Sequence, residues 1–498
     1  MPQAPALPLV GSLPLVGMEK VLGVGPPPHV QMARLAEIYG DVMELQMGQE
    51  TWVVLSSPQA VHQAFVQKGD DFSGRPMVPS MRVSTGGAQG FSQPQMTPEL
   101  KQLRRAALTQ LYDAASVEQA QATLEDEAEC LVEHLAQQSH KRGGVVLRSV
   151  LRRAVTNCVL RYAFSHRVPY PNEEGRTRRR INESQQQKGA FCSHYHDDPT
   201  QLLCDELVNV VDLIWKELTS TETTTLDLVT PASMADSPSA YSRLRRLVKR
   251  RDQLIRQIVS RRRQLREQHQ VDPSSSLDML DVLLDSGLPD NSIHYILVDM
   301  FVAGVNTVST QLEWFLLLLT KESKVQQKAR ESIHQNNPYD ESNKKNHDES
   351  SNYLHAVIKE VLRTKPPLLL PRMAVTDSSI QGHTVSKGTT VFANSWALSF
   401  DPESWREPHK FRPERWLEEE RHISRSGPEG CKFLPYSIGK RMCPGSRLAD
   451  QELTTFTRVL LGRLRWTSVE AVVDLKEDFS LTLVPKTIQS LKFERVRY

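Results

Sequence analysis

Pro435-Tyr436-Ser437-Ile438-Gly439-Lys440-Arg441-Met442-Cys443-Pro444-Gly445 is the stretch on which the reading of this chain turns. Gly439 and Gly445 bracket Cys443, and glycine permits tight turns and close approach of backbone to a ligand. Arg441 stands two residues before the cysteine, placed to meet a ligand carboxylate as a forked pair. Ser446 to Leu453 has helical character, so a thiolate at the start of that helix gains from exposed amides and the positive dipole end. Alone, the stretch fits two readings. One is a loop presenting a cysteine to something large and flat; the other is a structural cysteine in a turn before a helix.

Upstream, the longest helical pattern runs from Ile293 to about Lys321, after a strong cap signal at Pro289-Asp290-Asn291-Ser292. It is apolar nearly all round and is therefore predicted to be buried. In its middle, Ala303-Gly304-Val305-Asn306-Thr307-Val308-Ser309 is poor core material. Glycine there costs up to about 1 kcal/mol against alanine, and Ser or Thr can bond back to carbonyls and bend the helix. A kinked or widened turn that binds something small, and close helix packing through Gly304, both account for it. Further on, Glu360 and Arg363 share one face of a helix over 353–364 and read by themselves as a local surface pair.

At 498 residues with 39% hydrophobic and 24% charged content, the chain has ample length for a large core. The net charge of +2 carries no global electrostatic message. Six scattered cysteines with no CxxC pair argue against a disulfide framework or zinc module and fit a reducing compartment. The N-terminus lacks a secretory or transit pattern, and no apolar run is long enough to span a bilayer, so no transmembrane anchor is expected in the chain as given.

In chain order, a stiff proline-rich segment (Pro5 to Pro14, then Gly25-Pro26-Pro27-Pro28) precedes a helix over 29–39. A hairpin over 42–55 and a helix from Ser57-Pro58 to Gln67 follow. Ser80 to Thr97 reads as a polar loop, and Pro98 opens a helical run reaching His140 in which Arg104 and Arg105 are by default solvated. Helix resumes over 145–164. His194 and His196 lie in a polar stretch read as a loop rather than a metal site. The region 241–268 combines many arginines with an apolar stripe. A basic outer face on a packed helix is preferred there over a lipid-binding surface, and nucleic-acid binding falls away because no aromatic residues interleave for stacking. A second hairpin is predicted over 380–394, turning at Ser386-Lys387-Gly388. The organisation is a segment 1–28 followed by one domain, 29–498, mainly α with smaller β-sheets.

Four motifs in this order, Ala303-Gly304-x-x-Thr307, Glu360-x-x-Arg363, Phe411-x-Pro413-Glu414-Arg415 and Gly439-x-Arg441-x-Cys443-x-Gly445, make the chain resemble the cytochrome P450 superfamily, in the style of eukaryotic endoplasmic-reticulum members. The resemblance covers nearly the whole chain. It implies a heme b between the long central helix and the cysteine-loop helix, with Cys443 as axial ligand to iron and the thiolate favouring O–O cleavage. It implies Arg441, Arg104 and Arg372 on the heme propionates, and Gly439, Gly445 and Tyr436 around the heme. Glu360, Arg363 and Arg415 become a buried triad, which reverses the surface-pair reading. Thr307, with Gly304 and Asn306, belongs at the oxygen site.

The implied activity is a monooxygenase that inserts one atom of O2 into an apolar organic substrate, with electrons from NADPH through a partner reductase. The implied location is the cytoplasmic face of the endoplasmic reticulum membrane, by peripheral contact, or otherwise the cytoplasm. A heme-thiolate isomerase or dehydratase acting on a hydroperoxide, and a non-catalytic heme-binding protein, are the alternatives. Three positions depart from the family pattern. Asn306 replaces an acid and cannot relay a proton by titrating, Tyr436 replaces Phe, and Leu100 stands where Trp is common.

Overall fold

The computed structural model describes residues 1–4, 26–47, 50–86, 90–112, 114–170, 199–218, 220, 223, 241–268, 278–334, 347–367, 370–418, 427–479 and 482–496. The Pro5 to Pro14 segment and the His194/His196 stretch lie outside them.

The architecture hangs on the central helix, Asp290–Lys321. Its apolar residues face every direction, and only burial on all sides satisfies them. Contrary to the expectation that no run is long enough, by length and composition it could cross a membrane, but 83% of its most apolar window is buried within the protein. Leu312 and Trp314 to Leu319 pack with the helices Ala114–Arg142, Leu147–Phe164, His347–Thr364 and Ser446–Arg463 in one cluster. Its first half, from Ile293 to Val305, packs with Pro199–Leu218 and the arginine-rich helix Ser242–Glu267 in a second. Each large side chain so buried contributes about 1.5–3 kcal/mol. Ala303 to Thr307 therefore sits at the seam between two cores.

The expected side-chain cap is not formed: the helix starts on Pro289 with no capping side chain, because Asp290 already occupies the first turn and pairs there with Arg263. Of the two readings of 303–309, a distorted turn finds no break in the helical hydrogen bonding. The helix is continuous α through 303–309, and Thr307 Oγ1 donates to Ala303 O at 2.8 Å without breaking it.

Val42–Met47 and Glu50–Leu55 form the predicted hairpin. Thr390–Ala393 runs parallel to the second strand, and Arg372–Met373 pairs with its outer edge. The second hairpin is Ser378–Ile380 with His383–Val385. It turns at Gln381 and Gly382, both at positive φ (48° and 81°), rather than at Ser386-Lys387-Gly388. A two-residue turn with both residues at positive φ matches the twist of its strands, which frees Thr390–Ala393 for the larger sheet. The Ser80 to Thr97 region is not a plain loop. It carries the helix Pro79–Ser84 and a short 3-10 turn at Gly90–Ser92. The helical run from Pro98 is two helices, Pro98–Tyr112 and Ala114–Arg142.

Candidate functional site

The cysteine loop is closed by its own backbone. Ser437 N donates to Leu434 O at 3.2 Å, Met442 N to Gly439 O at 3.0 Å and Cys443 N to Tyr436 O at 2.9 Å. Gly439 has φ 68°, and a Cβ there would stand 2.1 Å from the Phe65 carbonyl oxygen, so both conformation and contact require glycine. Gly445 has an ordinary φ of −89° and nothing within 4 Å of a built Cβ, so the protein's own atoms set no such demand there. The terminal helix Ser446–Arg463 begins directly after it. Burial pushes the Cys443 thiol up; a hydrogen bond from the Gly445 amide and the charge of Arg104 pull it down. Tyr436 Oη donates to Asp450 Oδ1 at 2.5 Å, tying the loop to the first turns of that helix.

Around the loop gathers a group of cations. Arg441, 3% exposed, donates to Ser73 O at 2.7 Å and Gln93 O at 2.8 Å. Arg104 donates to Met442 O at 2.7 Å. Arg372, fully buried, reaches Ser437 Oγ at 3.3 Å and the Ile438 carbonyl, while its Nε has no partner. Arg75 donates to Leu370 O and Pro371 O at 2.6 and 2.8 Å. Among the described residues no carboxylate answers Arg75, Arg372 or Arg441. Burial, then the charges of Arg441 and Arg104, bring Arg75 down to about 9. Burial and Arg104 bring Arg441 down to about 10, and burial with Arg75 and Arg441 holds Arg372 well below the usual range. Guanidinia so arranged have strong affinity for a paired carboxylate ligand.

Arg75 had no signal in the sequence. It reaches the group because Gly74 bridges to Met373 across two chain segments (Gly74 N to Met373 O 3.1 Å, the return bond 3.0 Å), which sets Arg75 beside Arg372. A Cβ on Gly74 would lie 2.7 Å from Met373 O, the one local hint that backbones meet there.

The central helix lies against the terminal helix that follows Cys443. On it, Ala303 and Thr307 are exposed and Gly304 half-buried, while Val305, Asn306 and Val308 are buried. A Cβ on Gly304 would meet only Val159 at 3.5 Å, an ordinary contact, so close helix packing does not explain this glycine. The small residues leave an open stripe instead. Asn306, 5% exposed, is turned away from it. One turn and more upstream, Asp299 Oδ2 accepts the Phe91 amide at 2.6 Å, and the Phe91 carbonyl accepts Arg441 Nη1 at 3.4 Å. The 90–93 segment thus straps the central helix to the cysteine loop. Burial pushes the Asp299 carboxyl up to about 7.

Glu360, Arg363 and Arg415 are all 0% exposed and joined. Glu360 accepts from Arg363 Nη2 at 2.8 Å and Arg415 Nε at 3.1 Å. The triad reading is thus the one the geometry matches. The Trp416 indole also donates to Glu360 at 2.9 Å, a member that no motif signalled.

A lone cysteine at a helix start, a carbonyl-anchored group of arginines beside it and an open stripe of small residues on the neighbouring helix define a protein that holds a flat, dianionic prosthetic group. The model of the family described as Cytochrome P450 matches residues 1–492, and the chain belongs to the cytochrome P450 family. It is 27% identical to a steroid 17-alpha-hydroxylase/17,20 lyase of Squalus acanthias over 91% of this chain and 84% of that protein. It is 28% identical to (S)-N-methylcoclaurine 3'-hydroxylase isozyme 1 of Papaver somniferum, covering 95% and 93%. A zebra fish cytochrome P450 structure with progesterone superposes with a TM-score of 0.73 at 26% identity, covering 94% of this chain and 99% of that one. The protein is accordingly a heme b oxidoreductase of the monooxygenase kind. Its residues fit that cofactor: Arg372, whose Nε has no hydrogen-bond partner among the described residues, would suit a propionate together with Arg75 and Arg441, and the Cys443 thiol is a soft donor of the kind heme iron takes.

Proposed function

We propose that this chain hydroxylates an apolar organic molecule, with Cys443 as the axial iron ligand and electrons drawn from NADPH through a reductase. The observation that carries the reading is the arginine group Arg75, Arg104, Arg372 and Arg441 set around the Cys443 loop, in which, among the described residues, no carboxylate answers Arg75, Arg372 or Arg441. When bound, heme supplies the oxygen chemistry. The Gly445 amide stabilises the thiolate and tunes its donation. The arginines orient the cofactor through its propionates, and the Glu360–Arg363–Arg415 network fixes the elements behind it. Ala303 and Gly304 leave room beside the reacting centre. The Thr307 hydroxyl, which donates to Ala303 O at 2.8 Å, is the proton-bearing group this chain would offer on the open stripe. Asn306 replaces an acid and adds no titrating relay, so proton delivery rests on Thr307 and water. An apolar substrate is supported by the steroid hydroxylase among the relatives. A peripheral position on the endoplasmic reticulum membrane belongs to the same reading.

The reduced, CO-bound spectrum tests the ligand. Cys443→Ala is expected to lose the red-shifted thiolate band and Cys431→Ala to keep it; an intact band in Cys443→Ala overturns the assignment. Turnover with NADPH and reductase, against turnover with a lipid hydroperoxide alone, separates monooxygenation from isomerisation.

A further inference from the structure

The arginine-rich helix Ser242–Glu267 divides its cations into two sets. One set is answered by carboxylates: Arg243 by Glu217 at 3.2 Å, Arg250 by Glu206 at 2.5 Å, Arg262 by Asp278 and Asp281 at 2.8 and 2.6 Å, and Arg266 by Asp285 at 2.5 Å. A second group is Lys249 and Arg256, seven residues apart on one helix face, with Arg245 one turn before Lys249 on the same face. They line a cavity of about 250 Å³ together with Asp252, Val83 and Val248. Among the described residues neither Lys249 nor Arg256 has a carboxylate partner.

Asp252 does not neutralise this wall, because it is already engaged from behind. Fully buried Arg251 donates to its Oδ1 from Nε at 2.9 Å and Nη2 at 2.7 Å. His294, 4% exposed, brings Nε2 to 3.4 Å from the same oxygen. Arg251 Nη1 also donates to Ser84 O at 2.7 Å, which ties this helix to Pro79–Ser84 beside the cavity. The result is a cleft with a cationic wall, a neutralised floor and two valines beside them.

We propose that this cleft is a binding site for a phosphate- or sulfate-type oxyanion, borne by a small molecule or by a lipid headgroup. Guanidinium forks match the geometry of such an anion and a lysine adds a point charge, while Val83 and Val248 suit the first carbons of its ester. The volume admits one headgroup. It is smaller than the pockets that enclose drug-sized ligands.

The test uses the purified full chain and two probes: naphthyl phosphate, titrated by its fluorescence, and flotation with vesicles containing anionic or only neutral phospholipid. The double variant Lys249→Ala/Arg256→Ala is expected to weaken binding ~10-fold or more, since each lost charge-assisted contact is worth on the order of a tenfold change. Arg243→Ala/Arg250→Ala removes the same charge from the answered set and is expected to stay within about twofold of wild type. Lys249→Gln/Arg256→Gln replaces the alanine pair if circular dichroism shows misfolding. Binding of naphthyl phosphate assigns the site to a soluble ligand, and selective flotation with anionic vesicles assigns it to a headgroup. Equal losses in the two double variants, or no binding of either probe to the wild type, overturn the proposal.

Discussion

Glu360→Gln is the perturbation that separates a structural triad from an incidental cluster. The carboxylate receives Arg363 Nε and Nη2 at 2.9 and 2.8 Å, Arg415 Nε at 3.1 Å, the Arg412 amide at 2.9 Å and the Trp416 indole at 2.9 Å. Glutamine keeps the volume but removes the negative charge that two fully buried guanidinia share and turns one acceptor into a donor facing them. Neither arginine can swing out to water. Arg363 is held by the Ser399 and Pro408 carbonyls at 2.7 and 2.8 Å, Arg415 by the Arg406 and Glu407 carbonyls at 2.6 and 3.1 Å. Breaking one buried pair costs about 3–5 kcal/mol, and two cations lose their partner here, so the upper end applies. Against a typical total of about 5–15 kcal/mol, that is a third or more of the stability. Urea unfolding by far-UV circular dichroism and tryptophan fluorescence measures it, with Trp405 and Trp416, 5.3 Å apart, as local reporters. The midpoint should fall by roughly 1 M. An apolar replacement of all three members, Glu360→Leu with Arg363→Met and Arg415→Leu, should recover much of the loss, because desolvation is removed along with attraction. A Glu360→Gln unfolding free energy within about 1 kcal/mol of wild type would refute the reasoning.

Four further outcomes follow from the same geometry. Arg75→Met should raise the unfolding midpoint of heme-free protein, since it relieves repulsion within the arginine group, yet speed heme loss by about tenfold; dissociation to a scavenger protein measures the second effect. Gly439→Ala should cost about 1–3 kcal/mol for the positive φ alone, and more for the Phe65 clash, measured as folded yield and midpoint. Tyr436→Phe removes the bond to Asp450 and should cost about 1 kcal/mol while shifting the heme reduction potential, which potentiometry reads. Burial holds Asp299 up to about 7 and Glu452 up to about 8, so the folded state keeps protons that the unfolded chain releases. Stability should therefore fall as pH rises from about 4 through 8, by about 1.4 kcal/mol per pH unit for each group while it titrates. Asp299→Asn with Glu452→Gln should flatten that slope in unfolding curves taken from pH 5 to 8.

Much of this was legible in the sequence, for identifiable reasons. The central helix announces itself because its apolar residues have no polar face, and the cysteine loop because glycine, arginine and cysteine fall at fixed offsets. The motif resemblance, rather than the spacing of Glu360 and Arg363, signalled the triad; a pair three residues apart looks the same in water and in a core. Arg75 was hidden because its place depends on a backbone bridge between Gly74 and Met373, and bridges leave no periodicity. The turn of the second hairpin is illegible locally for the same reason. Two glycine-containing turns competed, and the partnership of Thr390–Ala393 with the first hairpin decided between them.

The arginine group has a consequence for how the protein is made. Arg441 bonds Ser73 across 368 positions of chain, and Arg372 bonds Phe65 across 307. Contacts so distant must bear a large loop-closure cost before they return any stability, so this corner is expected to order late. During synthesis the early segment carrying Arg75 leaves the ribosome long before its partners exist. An anionic cofactor that meets all four guanidinia at once would act there as a final fastener, joining the first and last parts of the chain only after both have arrived.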